Sequence, residues 1–322
     1  MTSQTLVVTG GSGFCGSDIA TAAHGAGYAV VCVGRRPGPV GTHVYWDATS
    51  DGAGTLLDRL RSSCVSPVAA VVHCAAAVGD FGPDEWFERV NVGGTAAVLE
   101  SAAALDSPAV VISSGSVYDH RIPAAAITEA HAQGGWVTAY GRTKAAADAL
   151  ALAAGARVLR PHAVYGPGDR YLLPRVTAAV RGGQLVLPGP DVTLSVTHVR
   201  TLTSAAMAAP RWGAGAYNIA DTAAVSRDWL LRSAASATLG ADIRVRHLPA
   251  GALRSLAGVL EAVAPLTGRN PLLTRYAVDQ LAHPFVLDTA KARAQGWTPP
   301  AGVDEHLAWL SGQRGRGESP TG

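Results

Sequence analysis

Charge is scarce in this chain of 322 residues: Asp, Glu, Lys and Arg make up 16%, and their formal sum is +2. Lys and Arg are scattered and never gather into runs, so the basic stripe that a polyanion needs is missing and nucleic acid is excluded as a partner. Long apolar runs are missing as well. No stretch approaches the roughly 20 residues of a membrane span, and Met1-Thr2-Ser3-Gln4 lacks the charged-then-apolar layout of an export signal. The expectation is a soluble, cytoplasmic globule with no membrane partner. Cysteine is limited to Cys15, Cys32, Cys64 and Cys74, none in the close pairs that zinc sites use, and the ten histidines form no HxxxH pair. No metal site is predicted, and the cysteines read as reduced packing residues.

What is plentiful is apolar material, 48% of the chain, enough for one large α/β core or a core plus a smaller lobe. Short β-branched runs (Leu6–Val8, Val30–Val33, Val44–Trp46, Val71–His73, Val110–Ile112, Arg157–Leu159) alternate with Ala/Leu-rich segments at Phe14–His24, Gly54–Ser62, Thr95–Leu105 and Ala139–Ala154. That rhythm predicts an α/β fold with a doubly wound parallel sheet, whose strands read as continuous apolar stretches because helices cover both faces. After Arg160, Pro and Gly become frequent and the rhythm breaks. The expected division is a Rossmann dinucleotide-binding domain over residues 1–164 and a smaller, irregular substrate-binding region over 165–322, with segments near 194–205 and 215–220 returning to the core. Helices are expected near Leu173–Arg181, Ser226–Ala235, Ala250–Val263 and Val303–Leu310, strands near Leu194–His198 and Tyr217–Ile219, and a polar tail without regular structure from Gly312 on.

Gly10, Gly11, Ser12, Gly13, Phe14, Cys15 and Gly16 follow the first strand and open the first helix. Glycines at a strand-to-helix turn let a dinucleotide pyrophosphate approach backbone N–H groups at the positive end of a helix. The spacing reads both as Gly10-x-x-Gly13-x-x-Gly16 and as Gly11-x-Gly13-x-x-Gly16, so it does not separate the Rossmann subtypes. At the end of the second strand, where an acidic residue would bind the ribose hydroxyls of NAD, stand Gly34, Arg35 and Arg36. Guanidiniums there can pair bidentately with a 2′-phosphate, which predicts NADP(H), with NAD(H) as the alternative. Asp47, with Ala48 after it, is the candidate for the adenine amine.

Far downstream, Tyr140 and Lys144 stand one helical turn apart, and Ser114 follows the fifth strand at the carboxyl edge where open α/β sheets bind ligands. A carbonyl that receives hydride on carbon must receive a proton on oxygen, so the chemistry needs a general acid beside that oxygen. Tyr140 fits that role. Bringing a phenol from about 10 to about 7 takes roughly 4 kcal/mol of phenolate stabilisation, which the Lys144 ammonium, aided by the charge of the oxidised nicotinamide, would supply. Ser114 would orient the carbonyl, and Phe81, Ser116, Tyr118, Trp136, His162 and Tyr171 are candidate pocket walls.

These residues, together with His73-Cys74-Ala75-Ala76, Asn91-Val92-Gly93-Gly94-Thr95 and the run from Arg160 to Asp169, resemble the extended short-chain dehydrogenase/reductase family, also called the NAD-dependent epimerase/dehydratase superfamily, over essentially the whole chain. The resemblance implies that Cys74, Ala75, Ala76 and Asn91 line the nicotinamide side, that the segment holding Pro161 and Val164 passes beneath the cofactor, and that the Ala-rich Tyr140 helix forms a homodimer. Val78-Gly79-Asp80-Phe81-Gly82, the run from Gly168 to Pro174, and Pro271-Leu272-Leu273-Thr274-Arg275-Tyr276 are similar to the 3β-hydroxysteroid dehydrogenase-like branch. Relatives that act on nucleotide-sugars carry an Asn and an Arg where this chain has Ala163 and Leu194, which points to a less charged substrate. Gly115-Ser116 replaces the Asp-Glu pair of 4,6-dehydratases, and Arg200-Thr201 stands where an acidic residue is usual. The expected activity is an NADPH-dependent ketoreductase or alcohol dehydrogenase acting on a small molecule. The alternatives are a nucleotide-sugar 4-ketoreductase or epimerase, and a non-catalytic NADP-binding protein.

Overall fold

The computed structural model describes residues 4–315 except 65, 121, 123, 124, 268–270, 272 and 301. Strands β1 (Thr5–Thr9), β2 (Ala29–Gly34), β3 (Thr42–Tyr45), β4 (Val68–His73), β5 (Ala109–Ile112) and β6 (Arg157–Pro161) alternate with helices α1 (Phe14–Gly25), α2 (Ala53–Ser63), α3 (Asp84–Phe87), α4 (Gly94–Ala104) and α5 (Ala139–Ala153). A π-helical stretch, Glu88–Gly93, joins α3 to α4. Then come β7 (Val164–Tyr165), α6 (Leu172–Ala179), β8 (Gln184–Pro188), β9 (Thr193–Leu194), β10 (Thr197–His198), α7 (Val199–Ala208), β11 (Gly215–Ile219), β12 (Val225–Ser226), α8 (Arg227–Leu239), β13 (Arg244–Leu248), α9 (Ala250–Thr267), α10 (Arg275–Ala282), α11 (Ala290–Arg293) and α12 (Val303–Gly315).

Seven strands form one parallel sheet in the order β11-β6-β5-β4-β1-β2-β3. The order reverses between β1 and β4, and that switch point is where an open α/β sheet leaves a crevice at its carboxyl edge. Period-two geometry sends Leu6 and Val8 of β1 to one face, with Ile19, Ala20 and Ala23 of α1 and Leu202 of α7. Val7 goes to the other face, with Leu56, Leu60, Val98 and Ala102 of α2 and α4. Because both layers are apolar, each strand reads as an unbroken hydrophobic run.

Chain from beyond residue 165 completes this core: β11 pairs with β6, Gly215 opposite Arg157 through Ile219 opposite Pro161. The span expected as one strand over Leu194–His198 is instead two short pieces in different sheets, β9 against β12 and β10 against β7. Ser195 breaks it, since its N–H bonds to the Phe285 carbonyl at 2.7 Å. The Gly-rich tail was expected to lack structure from Gly312, yet α12 runs on to Gly315; residues 316–322 lie outside those described. No helix among the described residues is long and apolar enough to cross a membrane.

Candidate active site

The turn after β1 is a cradle that side chains would fill. Gly10 has φ +68°, and a methyl on it would meet the Ala75 nitrogen at 2.8 Å; one on Gly16 would sit 2.2 Å from the Gly10 carbonyl oxygen. The Gly13 N–H donates to that same carbonyl at 2.8 Å, and Gly13 is the N-cap of α1 with no side-chain cap of its own. First-turn amides left uncapped in a tight, side-chain-free bend suit a pyrophosphate. At the end of β2, Arg35 and Arg36 are exposed. Asp47 receives the Thr49 N–H at 2.9 Å and the Thr49 hydroxyl at 2.8 Å. The Thr49 amide, with help from Arg35, holds its carboxyl below the usual range. Its Oδ1 is therefore committed to a turn, which leaves Oδ2 for the role expected of it.

On the opposite wall, Cys74, Ala75 and Ala76 leave β4 half-buried, and the Ala75 N–H reaches Thr9 Oγ1 at 3.3 Å. Asn91, expected on the nicotinamide side, is buried. Its side chain receives the Ala77 N–H at 2.7 Å and donates to the Ala77 carbonyl at 3.2 Å and to Thr143 Oγ1 at 3.0 Å. With its amide spent on protein, Asn91 is a positioning residue that ties the β4 loop to α5.

Thr138 caps α5 through the Gly141 N–H at 3.1 Å, which sets the helix register so that Tyr140, Thr143 and Lys144 face the sheet edge. The Tyr140 phenol lies against Ser114, the residue that also caps the 3-10 turn Gly115–Val117 by accepting the Ser116 N–H at 3.1 Å. Burial pushes the Tyr140 phenol above its ordinary value, and Ser114 only partly offsets this. Lys144, 4% exposed, donates to the Ile112 carbonyl at 2.7 Å, and burial lowers its ammonium to about 8. The ammonium is held by the end of β5 and lies on the side of Cys15 and Cys74. Those two thiols are free, and burial raises both, Cys15 to about 12.

Behind the 3-10 turn, Phe285 stacks on His120 at 4.4 Å and packs on His162 at 4.2 Å, and a methyl on Gly115 would touch the Phe285 ring at 3.0 Å. Burial keeps both imidazoles neutral, His120 down at about 4 and His162 at about 3. Ser116 is buried beside them. Trp136 lies at the rim, its indole N–H on the Val117 carbonyl at 2.9 Å, and exposed Tyr171 acts electrostatically on Tyr140. Phe81 is half-exposed in the loop after β4.

Tyr118 is not a pocket wall. Its hydroxyl donates to Asn218 at 2.6 Å and accepts from Arg160 at 3.0 Å inside the core. Arg200 is an exposed residue of the first turn of α7, and the nearby buried carboxylate comes from Asp221, which takes the Tyr165 hydroxyl at 2.6 Å and the His198 N–H at 2.9 Å.

A residue the sequence analysis did not place here is Tyr276 on α10, whose phenol lies against Tyr140 and Ser116. Thr274 caps α10 through the Ala277 N–H at 3.1 Å and bonds the Asp80 carboxylate, which also pairs with Arg175 at 2.7 Å. One turn beyond Tyr276, Gln280 meets His120 at 2.9 Å. Tyr276 stood in the run from Pro271 that resembles the 3β-hydroxysteroid dehydrogenase-like branch, and its i, i+4 spacing to Gln280 hinted at a shared face.

The profile of the NAD dependent epimerase/dehydratase family matches residues 6–220. The chain belongs to that family. It is an NAD(P)-dependent oxidoreductase of the extended short-chain dehydrogenase/reductase type, and the glycine cradle and carboxyl-edge site are where the family fold receives a nicotinamide dinucleotide. Among similar proteins is a 2-alkyl-3-oxoalkanoate reductase of Stenotrophomonas maltophilia (strain K279a), 26% identical over 95% of this chain and 98% of its own. The sterol-4-alpha-carboxylate 3-dehydrogenase ERG26, decarboxylating, of Candida albicans is 29% identical over 56% of each chain. The solved structure of MoeE5 in complex with UDP-glucuronic acid and NAD superposes with a TM-score of 0.72 at 26% identity, covering 98% of this chain and 99% of that one.

Proposed function

We propose that this protein is an NADPH-dependent ketoreductase, reversible as an alcohol dehydrogenase, acting on a ketone or secondary alcohol of a small molecule. The observation that carries the reading is the placement of the Tyr140 phenol against Ser114 at the carboxyl end of β5, with Lys144 one turn along α5. When bound, the nicotinamide supplies or accepts hydride. Ser114 orients the carbonyl oxygen, and Tyr140, neutral in the protein, gives that oxygen its proton. Lys144 carries a positive charge on the dinucleotide side of the crevice, beside Cys15 and Cys74. Tyr140→Phe is expected to lower kcat at least a thousandfold while NADPH still binds, as read by nucleotide fluorescence; near-normal turnover would refute the mechanism.

NADPH preference is part of the same reading and is supported by the exposed Arg35 and Arg36, with no acidic side chain at the end of β2. Arg35→Ala together with Arg36→Ala should raise KM for NADPH at least tenfold and leave KM for NADH within a factor of two. The likeness to MoeE5, whose structure holds UDP-glucuronic acid, favours a second reading, a nucleotide-sugar 4-ketoreductase or epimerase. Against it, Leu194, which stands where nucleotide-sugar relatives carry an Arg, is buried among Val117, Tyr118 and Phe285. UDP or dTDP at millimolar concentration should leave the melting temperature unchanged. Ala145, Ala147 and Ala151 of α5 are spent on internal packing, while Ala149, Leu150 and Ala153 stay exposed. A two-fold dimer through that exposed strip completes the proposal.

A further inference from the structure

Ser116 is 4% exposed, and its hydroxyl has no hydrogen-bond partner. A desolvated hydroxyl left unpaired is costly, and buried polar groups that stay so in a native fold call for an explanation. This one stands two residues past Ser114, and its own N–H is already used on the Ser114 hydroxyl at 3.1 Å. The Tyr276 phenol lies against both it and Tyr140. Burial pushes that phenol far above its ordinary value, so it remains a neutral donor.

Tyr276 is held in place from both ends of its helix. Thr274 bonds Asp80 just before it, and Gln280 meets His120 at 2.9 Å one turn after it. Two hydroxyls are thus pre-set side by side next to the oxygen site of Ser114 and Tyr140. The charges that act on Tyr276 are those of Asp80 and Arg175, which pair with each other at 2.7 Å, and His120 and His162 are neutral. With Asp80 and Arg175 spent on each other, that pair offers a substrate carboxylate no counter-charge to repay its desolvation.

We propose that Ser116 and Tyr276 form a second oxygen site, which holds an uncharged carbonyl or hydroxyl oxygen of the substrate while Ser114 and Tyr140 hold the reacting one. The substrate is then a ketone or secondary alcohol bearing a second neutral oxygen within a few bonds of the reacting carbon. This rests on the ketoreductase reading above. It makes Ser116 and Tyr276 specificity residues, with the proton still moved by Tyr140.

The test compares ethyl 3-oxohexanoate with 4-nonanone, a ketone of equal chain length that lacks the ester oxygens, using NADPH and the full chain. Wild type should prefer the ester at least tenfold in kcat/KM. In Ser116→Ala and in Tyr276→Phe, each of which removes one hydroxyl, that ratio should fall at least tenfold, mainly through the ester's KM. An unchanged ratio in both variants would overturn the site, and so would a preference of wild type for the 3-oxohexanoate anion over its ester. Melting of the protein with NADP+ gives a readout that needs no turnover: the ester should raise the melting temperature where 4-nonanone does not, and either variant should lose the rise. If wild type reduces neither ketone, the ketoreductase reading fails, and the melting difference alone then decides for or against the oxygen site.

Discussion

Arg160 keeps a full charge at 2% side-chain exposure because Asp148, at 0%, meets it with both oxygens, at 2.6 and 2.9 Å. Ser113 adds a bond to the same carboxylate at 2.6 Å, and the rest of the guanidinium goes to Tyr118 and the Glu129 carbonyl. Ser113 precedes Ser114, and Asp148 lies one turn past Lys144, so this network fixes the two elements that bring the catalytic hydroxyls together. Asp148→Asn leaves a buried guanidinium without its counter-charge and should cost about 3 to 5 kcal/mol. Urea denaturation checks it, and a loss below 1 kcal/mol would mean the pair has no such role. The sequence showed Arg160 and Asp148 as separate residues of a strand and a helix; a bidentate pair between them is a property of the packed state.

At the scale of elements, the β1–α1 unit was legible because its constraint is local. Gly16 stands one turn into α1 against the Gly10 carbonyl, so the glycine spacing in the sequence is itself the record of that contact. Gly16→Ala would force a methyl to 2.2 Å from an oxygen. The turn must open, and NADPH affinity should fall at least tenfold by fluorescence titration while the circular dichroism spectrum stays helical and stranded. Retained affinity would show that the turn can yield. Helix α10 was not legible in this way. Its Tyr276 reaches the site only because Thr274, Gln280 and Phe285 dock on loops that lie more than 100 residues earlier in the chain. The π-helical stretch at Glu88–Gly93 escaped for a similar reason, since Asn91 turns inward to meet Ala77 and Thr143.

For the whole molecule, buried histidines set the response to acid. Burial lowers His73 and His162 from 6.5 to about 3, and His120 and His306 to about 4. The unfolded chain takes protons below pH 6.5 that the folded chain refuses, so stability is lost as pH falls from 6.5 toward the folded values. His73 and His162 each contribute about 1.4 kcal/mol per pH unit to that slope. The window opens well above the carboxylate range, so a drop in urea midpoint between pH 6.5 and 5 belongs to the histidines; a flat midpoint there would contradict their burial. Lys144 acts at the other end. Its ammonium is lowered by burial from 10.5 to about 8, so the folded chain releases a proton that the unfolded chain keeps, and stability should rise with pH between those values.

The sequence by itself determined the sheet, the dinucleotide turn and the order in which Ser114, Tyr140 and Lys144 arrive, because each follows from a periodicity or a contact within a few residues. The tertiary structure decided which groups act on one another. It turned Lys144 to the Ile112 carbonyl, withdrew Tyr118 and Asn91 into the core, and brought Tyr276 against Ser116. Hydrogen-bond partners and burial depend on where distant segments pack, and no local pattern in the chain carries that information.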